Sequence, residues 1–198
     1  MRDVIGTTRA AVHVYASAMN VREAVELIGA AVPRGVQTWA DLGAGEGTFT
    51  RALSEILAAG SRLYAVDRDA HAVLALERWA ARAALEVIPV RADFERRFAL
   101  PGLGKASLDG LLLANALHFA RDGSEVLSRL SAWLAPAGRV VLVEYDRRPA
   151  SRWVPHPVPF ERFQSLAEDA GLAPPRIVAT RPSAFGGELY AAVAVRDS

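Results

Sequence analysis

The chain alternates short apolar segments with amphipathic helices, and this alternation limits the folds that it can adopt. Five apolar segments are predicted as strands, and helical periodicity lies between most of them. The predicted strands are residues 37–42, 62–66, 86–91, 108–114 and 139–145. Strands that alternate with helices predict a parallel sheet with crossover helices on both faces. The fold class is therefore α/β, doubly wound, with three layers.

Several polar residues and prolines indicate where these elements begin and end. Asn20, with Glu23 three residues later, predicts a capped helix before the first strand. A helix that begins at Asp122 is predicted to run through Leu134 and to end at Pro136 and Gly138. Pro89 lacks the N–H that a central strand needs, so the third strand is predicted at a sheet edge. Two late segments, 176–180 and 188–195, predict an antiparallel hairpin around Gly186 and Gly187.

Length, composition and charge indicate a single domain and argue against nucleic-acid-binding, membrane and secreted proteins. The 198 residues, 52% of them apolar, fit one domain, with residues 1–36 as N-terminal helices. A net charge of +1 provides no field for nucleic acid or an anionic membrane, and the longest apolar run is too short to cross a bilayer. The first residues do not form a signal peptide, and cysteine is absent, so we expect a cytoplasmic protein without cysteine-bound zinc or another metal site.

A glycine loop, Asp41-Leu-Gly-Ala-Gly-Glu-Gly47, joins the first strand to the next helix. Such a turn presents backbone N–H groups, and its glycines let a ligand approach the main chain closely. The dinucleotide fingerprint would require a third glycine where Thr48 stands. In addition, the carboxylate of Asp41 would repel a pyrophosphate but favour a cationic ligand. The loop therefore favours a cationic ligand over a dinucleotide.

Acids also end the second and third predicted strands. Asp67 follows the loop by about 20 residues, the offset at which a carboxylate binds ribose hydroxyls. Asp93 and Phe94 end the third strand, where a carboxylate can accept from an exocyclic amino group while a ring packs against a base. For Asp67 the alternative is a helix cap, and for Asp93 a solvated loop acid.

These segments, taken in order, resemble the successive motifs of class I S-adenosylmethionine-dependent methyltransferases. The matching segments are Trp39-Ala-Asp-Leu-Gly-Ala-Gly-Glu-Gly-Thr48, Tyr64-Ala-Val-Asp67, Arg91-Ala-Asp-Phe94 and Leu108-Asp-Gly-Leu-Leu-Leu-Ala-Asn115. The resemblance implies a seven-stranded sheet of order 3-2-1-4-5-7-6, with strand 7 antiparallel. It also implies S-adenosyl-L-methionine as cofactor.

The resemblance assigns cofactor roles to named positions. Asp41 and the backbone of Gly43, Gly45 and Gly47 would hold the methionine part, and Asp67 the ribose. Asp93 and Phe94 would hold the adenine, and Asn115 the methionine amino group or nearby backbone. Arg68 departs from the apolar residue often found there, and its guanidinium would stack on adenine or remain solvated.

The acceptor is less determined by the sequence. The fourth strand lacks the Pro-Pro-aromatic continuation of enzymes that methylate amines of DNA bases, which favours a small molecule. His118 is a candidate base for a hydroxyl acceptor, with local packing as the alternative. The loop after the fifth strand either binds an anionic or aromatic acceptor or is solvated, and its candidate residues are Arg147, Arg148, Arg152, Trp153 and His156. Tyr15 and Tyr145 are further candidates, and the N-terminal helices are expected to cover the acceptor.

Two other functions compete with a small-molecule methyltransferase. A non-catalytic domain that binds S-adenosylmethionine would carry the same motifs. A nicotinamide-dependent oxidoreductase is disfavoured by Thr48, by Asp41 and by the late hairpin. The sequence leaves the oligomeric state undetermined.

Overall fold

The apolar segments of the sequence pair into one seven-stranded sheet in a computed structural model that describes residues 19–183 and 187–197. The strands are β1 (Thr38–Leu42), β2 (Arg62–Asp67), β3 (Glu86–Arg91), β4 (Leu108–Ala114), β5 (Leu134–Tyr145), β6 (Arg176–Pro182) and β7 (Glu188–Val195). The helices are α1 (Val21–Ile28), α2 (Thr48–Ile56), α3 (Ala70–Ala80), α4 (Gly123–Ser131) and α5 (Phe160–Asp169), and a 3-10 turn spans Leu117–Phe119.

The strand order is β3-β2-β1-β4-β5-β7-β6, which confirms the order predicted from the motifs. Strands β1 to β5 are mutually parallel, and β7 pairs antiparallel with both β5 and β6. Pro89 lies in β3, which is an edge strand paired with β2. The missing N–H of this proline therefore costs the sheet no interior hydrogen bond, as predicted.

The central strands β1 and β4 are apolar because both faces of the sheet are covered. Trp39 and most of β4 have no exposed surface. Gly110 of β4 stands opposite Trp39, and a Cβ at Gly110 would lie 2.4 Å from the indole ring. The indole thus occupies the space that a larger residue at position 110 would need.

Helices cover the two faces of the sheet. Leu127 and Leu130 of α4 and Phe163 of α5 pack into the core on one face. Helices α1 and α2 supply the core on the other face, and α3 contacts β2 and β3. Asn20 caps α1 in the predicted reciprocal bond with Glu23. This packing gives the predicted three layers.

The boundary between α4 and β5 differs from the prediction. The prediction of a helix through Leu134 and a strand from position 139 is wrong, because α4 ends at Ser131 and β5 begins at Leu134. Leu134 pairs with Leu108, and the ladder resumes at Arg139 after a register shift. Pro136 and Gly138 therefore lie in an irregular stretch of the strand, where their disruption of the ladder is tolerated.

The late hairpin is confirmed as β6 and β7, although Gly186 lies outside the described residues. Within the described ranges, no helix is long and apolar enough to cross a membrane.

Candidate active site

The glycine loop is tied to the carboxyl end of β2. The backbone N–H groups of Gly43 and Ala44 donate to the Val66 carbonyl at 2.9 and 3.0 Å. The N–H of Gly45 donates to Oδ2 of Asp67 at 2.7 Å. Asp67, the acid predicted at the end of the second strand, therefore holds the loop in place.

The loop conformation requires glycine. The φ angles of Gly43, Gly45 and Gly47 are 76°, 53° and 89°, in the left-handed region that L side chains rarely adopt. A Cβ at Gly43 would lie 2.7 Å from the Cβ of Ala116, whereas a Cβ at Gly45 would meet no atom within 4 Å. Gly43 thus allows close packing against the segment after β4, while Gly45 faces open space.

A cavity of about 170 Å³, the glycine-loop cavity, lies where the ends of β1 to β4 meet. Its lining includes six of the predicted cofactor residues, which are Gly43, Asp67, Arg68, Asp93, Phe94 and Asn115. The rest of the lining is Ala92, Glu95, Ala116 and Phe119, and Asn115 and Phe119 also line a second cavity. The acids at successive strand ends therefore converge, as parallel strands require.

Backbone contacts fix the two acids of this cavity. Oδ1 of Asp67 accepts from the N–H of Asp69 at 2.9 Å, and Oδ1 of Asp93 accepts from the N–H of Glu95 at 3.1 Å. Arg129 donates to the Phe94 carbonyl at 2.8 Å and so holds the same segment from α4. Each carboxylate oxygen has a second lone pair, so a ligand hydroxyl or amine can still be bound.

Asp41 is buried instead of lining the cavity. Its side chain is 1% exposed, and Thr50 of α2 donates to its Oδ2 at 2.6 Å. Burial, opposed by the Thr50 hydrogen bond and reinforced by the charge of Asp67, raises the pKa of Asp41 to about 7. Asp41 therefore holds a proton readily in the folded protein.

Asn115 is strained and has an unsatisfied polar atom. Its φ is 51°, and its backbone N–H donates to the Val143 carbonyl at 2.8 Å. Its side-chain Oδ1 is buried without a hydrogen-bond partner. A buried acceptor of this kind indicates a place for a donor supplied by a ligand.

The second cavity, the aromatic cavity, measures about 610 Å³. Its lining is Asn115, His118, Phe119, Tyr145, Arg148, Trp153 and Val154. Phe119 and Trp153 are 40% and 63% exposed, high values for large apolar side chains. The Arg148 guanidinium lies 4.5 Å from the centre of the Tyr145 ring, a cation–π contact. The cavity thus combines flat rings with one positive charge.

A buried hydrogen-bond partner, Glu144, fixes His118 at this cavity. Nδ1 of His118 lies 2.7 Å from Oε2 of Glu144, and the side chains are 2% and 0% exposed. The backbone N–H of His118 also donates to Oε1 of Glu144 at 3.2 Å. Both oxygens of one carboxylate therefore bind the same residue. The carbonyl of His118 in turn accepts from the N–H of His156.

Comparison with known proteins identifies the family. A family model described as a methyltransferase domain matches residues 40–140, just over half of the 198 residues. The chain belongs to this methyltransferase family. It is a class I S-adenosylmethionine-dependent methyltransferase, and S-adenosylmethionine is its cofactor, as the motifs predicted. No curated protein sequence matches it significantly.

Solved structures share the fold of this methyltransferase. YcgJ from Bacillus subtilis superposes with a TM-score of 0.71 at 14% identity, over 89% of this chain and 99% of its own. The 1,6-didemethyltoxoflavin-N1-methyltransferase of Burkholderia thailandensis, solved with S-adenosylhomocysteine, gives 0.70 at 21% identity over 90% and 78%. Mitomycin 7-O-methyltransferase gives 0.65 at 20% identity over 88% and 53%. At these identities the likeness concerns the fold.

The structure also contains site residues that the sequence interpretation missed. Glu144 and Phe119 were not among the candidates, whereas Arg148, Trp153 and Tyr145 were. An acidic residue at the end of the apolar strand β5 was the available signal for Glu144. Arg147 is exposed and pairs with Asp146, so it lies apart from the lining of the aromatic cavity.

The expected cover of the acceptor by N-terminal helices falls largely outside the described residues. Tyr15 lies there as well. The described helix, α1, packs against α2 and β6 and supplies none of the residues that line either cavity.

Proposed function

We propose that this methyltransferase transfers the methyl group of S-adenosylmethionine to a small molecule bound in the aromatic cavity. The observation that carries the proposal is that Asn115 and Phe119 line both cavities. A donor in one cavity and an acceptor in the other would therefore meet at these two residues. The volume of the aromatic cavity lies in the range typical of small-molecule sites.

The residues of the glycine-loop cavity fit the cofactor. Gly45, which is not part of the lining but donates to Asp67 of the lining, faces open space that leaves room for the methionine part. The unsatisfied Oδ1 of Asn115 suits its amino group. Asp67 would accept from the ribose hydroxyls, while Asp93 and Phe94 would bind the adenine. Arg68, which is exposed on the same wall, would stack on the base.

Two further loop residues act through charge and shape. Gly47 begins α2 with a left-handed conformation that turns the chain into the helix. Asp41 would act from beneath the loop, because a nearby cation favours the ionised form of its carboxyl. Its support is electrostatic, since it does not line the cavity.

The bound cofactor supplies an activated methyl group on a sulfonium, so the protein must mainly orient the acceptor. The flat side chains Phe119, Tyr145 and Trp153 would hold an acceptor against the cavity wall. His118 is the candidate base for an acceptor that must lose a proton.

Small-molecule specificity is also supported by the similar structures. Two of them carry names that specify methylation of a small molecule, one at nitrogen and one at oxygen. The net charge of +1 favours a small molecule over nucleic acid.

We further propose that residues 1–198 work as one methyltransferase domain. Helix α1 supports this, because Glu23 pairs with Arg181 of β6 and its apolar face joins the core of α2. Limited proteolysis should leave α1 joined to the strands of the sheet. Cleavage between α1 and β1 that releases α1 would contradict this arrangement.

Calorimetry tests the donor, and a screen tests the acceptor. S-adenosylmethionine and S-adenosylhomocysteine should bind, and NAD should not. Binding of NAD alone would overturn the proposal. Small-molecule acceptors should then be screened with methyl-labelled cofactor. Cofactor binding without transfer to any acceptor would instead favour a binding domain without catalysis.

A further inference from the structure

We propose that the acceptor is a planar ring compound with an acidic hydroxyl group, and that Glu144 positions His118 to take its proton. This inference rests on the proposed function and specifies the chemistry of the aromatic cavity. Glu144 is a positioning residue in this scheme, because it acts only through the histidine.

The contacts of Glu144 determine which nitrogen of His118 can act. A carboxylate only accepts hydrogen bonds, so Nδ1, 2.7 Å away, must carry the hydrogen. In the neutral ring the hydrogen on Nδ1 leaves Nε2 with a lone pair. The second contact, from the backbone N–H of His118 to Oε1, prevents the carboxylate from turning away. The pair therefore presents one defined tautomer at the cavity wall.

The same pair favours accepting a proton. When Nε2 gains a proton the ring becomes a cation, and the buried carboxylate of Glu144 lies in contact with it. An ion pair that forms in such a buried place is stronger than one in water. Without Glu144 the cationic ring would be buried and unpaired, which is costly.

The charges around the cavity select the acceptor group. Arg148 adds a positive charge to the wall, which stabilises a developing oxyanion and disfavours a protonated amine. Among the described residues that line the aromatic cavity, none is acidic, so an ammonium group would find no counter-ion there. A neutral amine has its own lone pair and needs no base before transfer. A hydroxyl is the acceptor that uses both His118 and Arg148.

The rings of the cavity select a flat molecule. Phe119, Tyr145 and Trp153 line one space, and two of them are unusually exposed for their size. Aromatic faces favour stacking with flat ligands. A phenol or an enol conjugated to a ring meets both requirements, since such hydroxyls are also far more acidic than those of alcohols.

Proton transfer to His118 accompanies methyl transfer to the hydroxyl oxygen. The hydroxyl proton moves to Nε2 of His118, and the oxygen forms a bond to the methyl carbon. The carbon–sulfur bond breaks, and its electron pair stays on sulfur, which becomes a neutral thioether. His118 then releases its proton to solvent, and the other product is a methyl ether.

Nitrogen NMR of the protein without cofactor tests the tautomer directly. The full chain is labelled with nitrogen-15, and the His118 ring is assigned by comparison with the His118→Gln variant. The spectrum is recorded at a pH at which the ring is neutral, and the proposal expects the hydrogen of that neutral ring on Nδ1. A neutral ring with its hydrogen on Nε2 overturns it. This measurement needs no variant of Glu144.

Turnover with hydroxyl compounds tests the acceptor class. 2-Naphthol, 7-hydroxycoumarin and 4-nitrophenol are compared with the matched amine 2-naphthylamine. We expect methyl transfer to the hydroxyl compounds. Glu144→Gln should lower kcat by about 10²- to 10⁴-fold, the usual contribution of a positioned base, with little change in KM. The loss should be smallest for 4-nitrophenol, which ionises most readily.

The control variant is Glu86→Gln, which makes the same chemical change in the exposed ion pair with Arg62 and should leave kcat unchanged. Methylation of the amine alone, of none of the compounds, or an unchanged kcat in Glu144→Gln overturns the inference. Calorimetry with S-adenosylmethionine on the same samples separates the two levels. If the cofactor fails to bind, the proposed function fails. If it binds and the other results are negative, only this inference fails.

Discussion

Two alanine substitutions in the glycine loop should separate stability from cofactor binding. Gly43 and Gly45 share a left-handed backbone, but their surroundings differ. A Cβ at position 43 would press against Ala116 at 2.7 Å, and one at position 45 would enter open space. We therefore expect Gly43→Ala to reduce mainly stability and Gly45→Ala to reduce mainly cofactor affinity.

The magnitudes follow from these surroundings. A left-handed conformation costs a non-glycine residue about 1–2 kcal/mol, and both variants incur this cost. Gly43→Ala adds the crowding of a packed site, about 1–3 kcal/mol. Its free energy of unfolding should thus fall by about 2–5 kcal/mol, against about 1–2 kcal/mol for Gly45→Ala. The added methyl group at position 45 should weaken S-adenosylhomocysteine binding by about tenfold or more, about 1.4 kcal/mol.

Urea unfolding followed by circular dichroism measures the stability, and calorimetric titration with S-adenosylhomocysteine measures the affinity. Gly102→Ala is the matched control, because Gly102 has a φ of 68°, meets no atom within 4 Å and lies outside the glycine loop, whereas Gly45 donates to Asp67 of the glycine-loop cavity. It should lose the same stability as Gly45→Ala and keep full affinity. The reasoning is refuted if Gly45→Ala binds as tightly as Gly102→Ala, or if Gly43→Ala is no less stable than Gly45→Ala.

Three further substitutions test other contacts. Asp67→Ala should weaken S-adenosylhomocysteine binding by about 1.5–3 kcal/mol, the range for hydrogen bonds to a charged group, and unchanged calorimetric affinity would remove Asp67 from the site. Because the pKa of Asp41 is about 7 when folded and 3.8 when unfolded, its carboxyl favours folding less as pH rises from 4 to 7. Asp41→Asn should therefore gain stability relative to the wild type over this window, up to about 4 kcal/mol, and urea unfolding at pH 5 and pH 8 that gives the same difference would contradict this. Gly110→Ala should destabilise by about 1–3 kcal/mol or more because its Cβ would lie 2.4 Å from the Trp39 ring, and an unchanged urea midpoint would contradict that contact.

The donor side of the site could be predicted because the fold itself brings its residues together. Asp67 is the last residue of β2, Asp93 and Asn115 follow β3 and β4, and parallel strands end at one edge of the sheet. Their convergence follows from strand order alone. The prediction needs only the position of each acid relative to its strand.

Asp41 shows where strand position alone is insufficient. Residues alternate between the faces of β1, so Asp41 shares the face of Trp39, which α2 covers. Its carboxyl consequently bonds to Thr50 of α2 and lies below the loop instead of in the cavity. The sequence predicts that the side chains of β1 alternate between the two faces of the sheet, but it does not predict which helix covers each face.

The role of Glu144 could not be predicted without the path of the backbone. Val143 pairs with Ala114, so Glu144 lies beside the point where the chain leaves β4. The left-handed conformation of Asn115 then turns the chain so that His118 meets Glu144, 26 residues away in sequence. A tertiary contact of this kind depends on a single φ angle that the sequence does not specify.

The donor side and the acceptor side of the site therefore depend on different parts of the structure. The donor side consists of strand ends and a glycine turn, which belong to the fold and would be retained with any acceptor. The acceptor side consists of the 3-10 turn after β4 and the segment after β5, which are joined by the hydrogen bond from the His156 N–H to the His118 carbonyl. Asn115 joins the two sides, because its backbone follows β4 and its side chain borders both cavities. Substitutions in these two segments should therefore alter acceptor binding more than cofactor binding, whereas substitutions in the glycine loop should do the reverse.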